Sequence, residues 1–238
     1  MNRQITNVIR FVLDECLPPA LRDNKYFMFP FFWFAYRGRN VRETMEFKSR
    51  VQHFTPGEYQ RFYAQLDSIS RNRPTDLNAL CLDAILEAVD SGVTRLLDAG
   101  CGSGYLLKRI HAAHPHMVLA GSDIIPAPRD LPCRYYQADL LALQPDDEGV
   151  FDVVVCSHVL EHIPDLKAAV LKLRRLCRKY LVIVVPCQRY YYYTLDEHVH
   201  FFTHAYQLST MMGLEPGALM SCRKLGGDWL LLVRGAHA

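Results

Sequence analysis

The sequence predicts an α/β protein in which a mostly parallel sheet is covered by helices on both faces. After residue 92, short apolar runs alternate with helical segments, which is typical of a parallel sheet with crossover helices. A glycine-rich stretch directly follows the first of these runs. Residues 1–90 instead show apolar positions at helical spacing. Together these observations predict a helical N-terminal segment followed by a sheet-based core.

The first 78 residues are predicted to form a helical N-terminal extension or lid, and residues 79–238 to form the core. The stretch QITNVIRFVLDECL carries a helical apolar stripe. TPGEYQRFYAQLDSIS opens at a predicted N-cap, Thr55, with proline at the first helical position. PTDLNALCLDAILEAVDSG opens with another capping signal and ends at Gly92.

Six apolar runs in the core are predicted strands, namely VTRLLDAG, MVLAGSD, CRYYQAD, FDVVVCSH, YLVIVVPC and WLLLVRG. Between them, YLLKRIHAAH and DLKAAVLKLRRLCRKY are predicted helices. In sheets of this kind, ligands bind beyond the carboxyl ends of the strands. We therefore expect the loops after the strands to carry the chemistry.

Composition and charge exclude several classes of protein. The net charge of the 238 residues is only +2, so we expect no nucleic-acid partner. The excess of positive charge lies in residues 1–75, which hold twelve Lys/Arg and seven Asp/Glu and would suit an anionic partner or a solvated surface. None of the eight cysteines forms a C-x-x-C pair, and the N-terminus lacks the apolar region of a signal peptide. These features predict a cytoplasmic protein with reduced thiols.

The first predicted strand ends in LLDAGCGSGYLLKRI, which has the pattern G-x-G-x-G after an aspartate. Glycines at this point allow a sharp turn and a close approach of the backbone to a ligand. A dinucleotide-binding fingerprint has a third glycine at the position of Tyr105. The nicotinamide-dinucleotide interpretation therefore lacks its helix–strand contact glycine, and Asp98 is better suited to facing a cationic group.

The stretch LLDAGCGSGYL resembles the first motif of class I S-adenosylmethionine-dependent methyltransferases. LAGSDI, YYQADLLAL and FDVVVCSHVLEHIPD resemble the motifs at the next three strand ends of that family. The resemblance covers roughly residues 80–236. It implies a Rossmann-like, mostly parallel, seven-stranded sheet and S-adenosylmethionine as cofactor. The N-terminal segment also faintly resembles bacterial methyltransferases associated with cell-surface saccharides.

The resemblance implies that residues at the strand ends bind the cofactor. Asp98 would face its ammonium group, Asp123 its ribose hydroxyls and Asp139 its adenine amine. For one aspartate, a helix cap or a loop acid is the alternative; three acids after three successive strands favour the cofactor site. Arg73 would meet the cofactor carboxylate or a substrate phosphate, with a solvated arginine as the alternative. The predicted cofactor-binding residues are Asp98, Gly100, Cys101, Gly102, Gly104, Asp123, Ile124, Asp139, Leu140, Ser157, His158 and Arg73.

Methyl transfer to a hydroxyl usually requires a base. In DEHVHFFTHAY, His198 is the predicted base, because an unperturbed histidine titrates near pH 6.5; the alternative is a histidine that only hydrogen-bonds the loop or the first helix. His158 is the second catalytic candidate, with lining of the cofactor pocket as its alternative role. Tyr191, Tyr193 and His200 are predicted to contact the acceptor, and packing on the core is the alternative for the tyrosines. The histidines form no tight metal-binding motif, so no metal is expected.

The predicted acceptor is a small molecule, with the methyl group going to a hydroxyl of a sugar, a glycan intermediate or a natural product. The alternatives are a protein methyltransferase and a non-catalytic cofactor-binding subunit. Residues 26–42 combine an aromatic run with three arginines. This segment is interpreted as a buried helix, a homodimer contact, or a peripheral contact with the inner membrane surface.

Overall fold

The computed structural model describes residues 8–9, 11–65, 74–89, 92–144 and 151–236 of the chain. The chain divides into two units. The N-terminal unit holds residues 1–73 and 188–203, and the sheet unit holds residues 74–187 and 204–238. The single boundary expected between residues 78 and 79 does not anticipate that residues 188–203 belong with the N-terminal unit.

The described part of the N-terminal unit is built from short helices. A π-helical turn at Val12–Cys16 is followed by α1 (Pro19–Arg22), α2 (Lys25–Ala35), α3 (Val41–Met45), α4 (Phe47–Arg50), a 3₁₀ turn (Val51–His53) and α5 (Pro56–Gln65). The predicted N-cap at Thr55 is confirmed, because its hydroxyl accepts from the Glu58 N–H and Glu58 accepts from the Thr55 N–H. This reciprocal pair is a capping box, which satisfies donors that the first turn leaves open.

A buried cluster of apolar side chains holds the N-terminal unit together. Met28, Phe32 and Tyr36 recur every four residues and form the buried stripe of α2 and the turn after it. They pack with Leu13 from the first turn and with Tyr191 from the distant segment 188–203. The aromatic run is therefore a helix that contributes to a core.

The sheet unit contains a seven-stranded sheet with the order β3-β2-β1-β4-β5-β7-β6. Strands β1 to β5 are parallel, and β7 runs antiparallel to both β5 and β6. The strands are β1 (Arg95–Ala99), β2 (Val118–Asp123), β3 (Arg134–Gln137), β4 (Phe151–Ser157), β5 (Cys177–Pro186), β6 (Leu219–Leu225) and β7 (Asp228–Arg234). The predicted Rossmann-like, mostly parallel seven-stranded sheet is confirmed.

Both faces of this sheet are covered. Successive side chains of a strand point to opposite faces, and Val153, Val154, Val155 and Cys156 of β4 are all fully buried. The helices of the sheet unit are α6 (Ala79–Ala88), α7 (Tyr105–Ala113), α8 (Leu166–Arg175) and α9 (Ala205–Met211). Side chains of α6 and α7 share a core cluster with β1, β4 and β5, and α8 packs against β5. Burial on both faces explains why these strands are continuous apolar runs.

Within the described residues, every helix is too short or too polar to cross a bilayer.

Candidate active site

The glycine turn (residues 100–104) lies at the carboxyl end of β1. Gly100, Gly102 and Gly104 all have left-handed backbone angles, with φ of +81°, +50° and +72°. The N–H groups of Gly100 and Cys101 both donate to the Ser122 carbonyl at the end of β2, at 2.7 and 3.0 Å. Glycine tolerates this conformation because it has no Cβ. The chain therefore turns sharply from β1 into α7 across the carboxyl end of β2.

At two of these positions there is also no room for a side chain. A Cβ at Gly100 would lie 2.1 Å from Val159 Cγ2, and one at Gly104 would lie 2.2 Å from Leu131 Cδ1. A Cβ at Gly102 meets nothing within 4 Å. The turn is thus closely packed at both ends and open in the middle, where a ligand can approach the backbone.

A fourth glycine, which the sequence analysis missed, lies in β2 where the glycine turn packs against that strand. A Cβ at Gly121 of β2 would lie 2.8 Å from both Cys101 Sγ and Leu107 Cδ1. Gly121 therefore makes room for the turn and the start of α7 to pack on β2. A glycine inside the strand pattern VLAGSD was the available signal, because such a glycine often marks a close approach.

Asp98 is a buried carboxyl group directly before the turn. Its side chain belongs to a residue only 2% exposed, and no described residue forms a hydrogen bond to its Oδ1. Burial, followed by the charge of Asp123, raises the pKa of Asp98 to about 7. A buried acceptor without a donor is unfavourable, so this site favours a cationic or hydrogen-bonding ligand.

Asp123 ends the neighbouring strand β2 and binds the glycine turn. Its Oδ2 accepts from the Gly102 N–H at 2.9 Å, and its Oδ1 accepts from the Ile125 N–H at 3.3 Å. Burial raises the pKa of this carboxyl, and hydrogen bonds from backbone N–H groups oppose that effect. Each carboxylate oxygen has a further lone pair, so Asp123 retains acceptor capacity for hydroxyl groups.

The remaining predicted cofactor residues are placed around the same edge. Asp139 follows β3, and its Oδ1 accepts from the Leu141 N–H at 2.8 Å, while Leu140 is buried. Ile124 directly follows Asp123 and is half-buried. The Cys101 thiol has a pKa well above its usual range because of burial, so it stays protonated. Arg73 lies outside the described residues.

His158 sits in a network of carboxylates directly after β4. His158 follows the half-buried Ser157 and has a φ of +54°. Its Nδ1 lies 3.4 Å from Glu161 Oε1, and its Nε2 lies 3.6 Å from Asp228 Oδ2. Burial lowers the pKa of His158, but Asp228 and Glu161 together outweigh it and raise the pKa to about 10. At neutral pH this imidazole is a cation, so it is suited to donating hydrogen bonds and not to accepting a proton.

The sequence analysis missed Asp228, which lies far from His158 along the chain. Its Oδ2 accepts from Asn78 Nδ2 at 2.7 Å, and the Asn78 Oδ1 accepts from the Cys81 N–H as the N-cap of α6. A Cβ at Gly226 would lie 2.8 Å from Asn78 Cγ. The G-G-D sequence before β7 was a signal for a turn, but it could not identify the partner histidine.

His198 belongs to a separate polar cluster inside the N-terminal unit. Its Nδ1 lies 2.7 Å from Gln188 Oε1 and 3.2 Å from Asp196 Oδ2. The Gln188 Nε2 donates to the same Asp196 oxygen at 3.0 Å. Because the amide nitrogen faces the carboxylate, the amide oxygen faces the histidine and can only accept from it. Nδ1 therefore carries a proton, and in the neutral ring the lone pair lies on Nε2.

A family model described as "Methyltransferase domain" matches residues 52–218 of the chain. The chain belongs to this methyltransferase family. Its members use S-adenosylmethionine, so the predicted resemblance to class I S-adenosylmethionine-dependent methyltransferases is confirmed at the level of the family.

Curated relatives and solved structures agree with the family. The chain is similar to a ubiquinone biosynthesis O-methyltransferase of Aromatoleum aromaticum, with 29% identity over 52% of this chain and 58% of the relative. It is also similar to one of Marinobacter nauticus, with 34% identity over 42% and 46%. The chain thus spans about half the length of these relatives. An O-methyltransferase family protein from Burkholderia thailandensis has a similar fold, with a TM-score of 0.53, 15% identity and coverage of 98% of this chain and 69% of that one.

The methyltransferase match includes the segment 188–203, which holds the residues predicted to contact the acceptor. Tyr191 is 2% exposed and packs in the core cluster of the N-terminal unit, with the Arg22 guanidinium 5.5 Å from its ring centroid. Tyr193 is half-buried against the same cluster, and His200 is also half-buried. The packing alternative for the tyrosines is therefore favoured at Tyr191.

Further side chains fix the same segment in place. Tyr36 donates a hydrogen bond to Glu197 Oε1 at 2.6 Å, and Lys48 donates to the Thr194 hydroxyl at 2.5 Å. Burial, followed by the charge of Glu197, raises the pKa of the Tyr36 hydroxyl well above its usual range. These bonds hold the chain on both sides of Asp196, which contacts His198.

Proposed function

We propose that this methyltransferase family member binds S-adenosylmethionine and transfers its methyl group to a hydroxyl of a small molecule. The observation that carries the proposal is the buried Asp98 carboxyl beside the glycine turn, whose Oδ1 has no hydrogen-bond partner among the described residues. A ligand that brings an ammonium group to this position would satisfy the oxygen and compensate its charge.

The residues present fit the cofactor along its length. Asp98 would bind the ammonium group, directly or through water, and the glycine turn would lie along the methionine part. Asp123 would accept from the ribose hydroxyls, and Asp139 from the adenine amine, with the Leu140 N–H donating to the ring. Ile124, Cys101 and Ser157 would complete the pocket. When bound, S-adenosylmethionine supplies a methyl group on a positively charged sulfur that is activated for in-line displacement.

The chain's own contribution to the chemistry is orientation and the handling of one proton. His198 Nε2 is the proposed acceptor of the proton that the acceptor hydroxyl would lose on methylation, and S-adenosylhomocysteine would be the other product. The contacts of Gln188 and Asp196 with Nδ1 support this role, because they favour the tautomer whose basic nitrogen is Nε2. His158 remains a second catalytic candidate; with a pKa of about 10 it would act as a cation that orients the loop after β4. The proposal uses no metal.

The acceptor class rests on the relatives and on the sequence. Relatives named as ubiquinone biosynthesis O-methyltransferases support oxygen as the methylated atom. We propose a sugar, glycan intermediate or natural-product hydroxyl, contacted by Tyr193 and His200. An intermediate of ubiquinone biosynthesis is the second candidate because of the relatives' names. Arg73 is proposed to meet an anionic group of the cofactor or the acceptor.

Two measurements test the proposal. Calorimetry should show that S-adenosylmethionine and S-adenosylhomocysteine bind the wild-type chain. A radioactive methyl-transfer screen over sugars, lipid-linked glycans, phenols and peptides should then label a small molecule. Labelling of peptides alone would favour a protein methyltransferase, and cofactor binding without any transfer would favour a non-catalytic subunit. Absence of cofactor binding would contradict the proposal as a whole.

A further inference from the structure

Helix α2 carries a second apolar surface that its core packing does not use. Its buried stripe is Met28, Phe32 and the following Tyr36. The rest of its circumference is also aromatic and is exposed, with Tyr26 at 78%, Phe29 at 42%, Phe31 at 37%, Trp33 at 56% and Phe34 at 63%. A surface helix of a globular domain normally places polar residues there. We call these five side chains the aromatic face.

The helix that presents the aromatic face is well terminated at both ends. The Asn24 side chain accepts from the N–H groups of Tyr26 and Phe27 at its start. At its end, the Gly38 N–H donates to the Trp33 carbonyl at 2.8 Å, with Gly38 at a φ of +73°. Both are standard helix caps, so the exposed aromatic residues are held on a defined helix.

Gly38 also supports Trp33 directly. A Cβ at Gly38 would lie 3.0 Å from Trp33 Nε1, so the indole lies against the glycine backbone. The tryptophan is therefore positioned by the C-terminal cap while more than half of it stays exposed. Trp and Tyr, which combine a flat apolar body with a polar atom, are enriched where an apolar phase meets water.

The charges around the aromatic face indicate what it binds. Residues 25–42 contain Lys25, Arg37, Arg39 and Arg42 and no aspartate or glutamate. All four cations are exposed: Lys25 begins α2, Arg37 and Arg39 follow its C-terminal end, and Arg42 lies in the next helix, α3. Aromatic side chains flanked by cations are typical of a helix that lies in the interface of an anionic bilayer. A self-contact between two copies would instead bring these like charges together.

We propose that the aromatic face of α2 docks on the surface of an anionic lipid bilayer, with the cations at its ends contacting the headgroups. The proposal does not depend on methyl transfer. The chain would bind peripherally, through burial of Trp33, Phe34 and their neighbours at the level of the headgroups.

Vesicle flotation tests this proposal. The wild-type chain should bind vesicles of phosphatidylglycerol and phosphatidylcholine at least about tenfold more tightly than vesicles of phosphatidylcholine alone, and high salt should weaken the binding. The double variant Trp33→Ala/Phe34→Ala should lose at least about tenfold in affinity, and Lys25→Gln about fivefold. Tyr206→Ala is the matched control, because Tyr206 is a 74% exposed aromatic residue outside α2 and its loss should change nothing.

A fluorescence measurement identifies the contact directly. Brominated lipids should quench the tryptophan emission of the wild-type chain. Trp33→Phe keeps Trp229 and should still bind vesicles, but its remaining emission should not be quenched. Thermal melting must show that the double variant is folded. If it is not, flotation of Lys25→Gln and lipid quenching of Trp33→Phe test the proposal in its place. Equal binding to neutral and anionic vesicles, or unchanged binding by Trp33→Ala/Phe34→Ala and by Lys25→Gln, would overturn the proposal. A wild-type dimer that becomes monomeric on substitution of Trp33 and does not bind vesicles would also overturn it.

Discussion

The two units of the chain hold their polar groups in different ways. In the sheet unit, Asp98 and Asp123 lie near the ends of adjacent strands, and Asp123 accepts a hydrogen bond from the Gly102 N–H of the glycine turn. In the N-terminal unit, His198 is held by side chains, from Gln188 and Asp196. A site formed by backbone groups tolerates few substitutions of its glycines. It does not depend on a network of side chains. We propose that residues of the sheet unit bind the cofactor and that His198 of the N-terminal unit accepts the proton.

The largest expected effect is a loss of turnover without a loss of cofactor affinity. His198→Ala should lower kcat by about 10² to 10⁴, which is the usual contribution of a positioned acid or base, while the affinity for S-adenosylhomocysteine stays unchanged. Turnover is measured in the radioactive methyl-transfer assay and affinity by calorimetry. His53→Ala is the control, because His53 is an exposed histidine of the same unit. Equal turnover of His198→Ala and wild type would remove His198 from the mechanism.

The second prediction compares alanine substitutions at two glycines of the glycine turn. Gly100→Ala should lower the free energy of unfolding by about 2–4 kcal/mol, because the new Cβ would meet Val159 and because φ is positive. Gly102→Ala has the same backbone strain but open space around it, so we expect a loss of about 1 kcal/mol. Urea denaturation compares the two. Equal stabilities of the two variants would show that packing against Val159 does not limit the turn.

The smallest effect tests how His198 is oriented. Gln188→Leu removes the amide that fixes the tautomer, and loss of such a supporting residue typically costs about 10- to 100-fold in activity. We expect a lower kcat with an unchanged KM, together with a shifted acidic limb of the pH–rate profile. Gln60→Leu, an exposed glutamine of the same unit, is the matched control. A lower kcat with an unaltered pH profile would indicate a purely structural role for Gln188.

Prediction from the sequence succeeded where neighbouring residues determine the structure. Six of the seven strands, the glycine turn and the aspartates at the strand ends follow from short patterns, since the alternation of apolar runs and helices fixes which ends of the strands share an edge. Strand β6 was not predicted, and β5 begins at Cys177, inside a run predicted to be helical. Gly121 was also missed, because its role depends on contact with the side chains of Cys101 and of Leu107 from α7.

Prediction was weaker where residues far apart in the chain meet. The bonds from Tyr36 to Glu197 and from Asn78 to Asp228 span well over a hundred residues. Such contacts leave no periodic signal. The run of four tyrosines predicted an acceptor contact or a packed segment, and only the structure shows that Tyr191 lies in a core with Phe32 and Tyr36. The high pKa of His158 likewise depends on Asp228, which its local sequence cannot reveal.

The most direct test of the central claim is the pH dependence of S-adenosylhomocysteine binding. Without a bound cation, the pKa of Asp98 is about 7, and a bound ammonium group favours the carboxylate. Binding therefore releases a proton, so the Kd should rise as pH falls below 7, by up to about tenfold per pH unit. Asp98→Asn should bind at least about tenfold more weakly and show no such dependence between pH 5.5 and 8. A wild-type Kd that is constant over this range, with equal affinity in Asp98→Asn, would contradict the account.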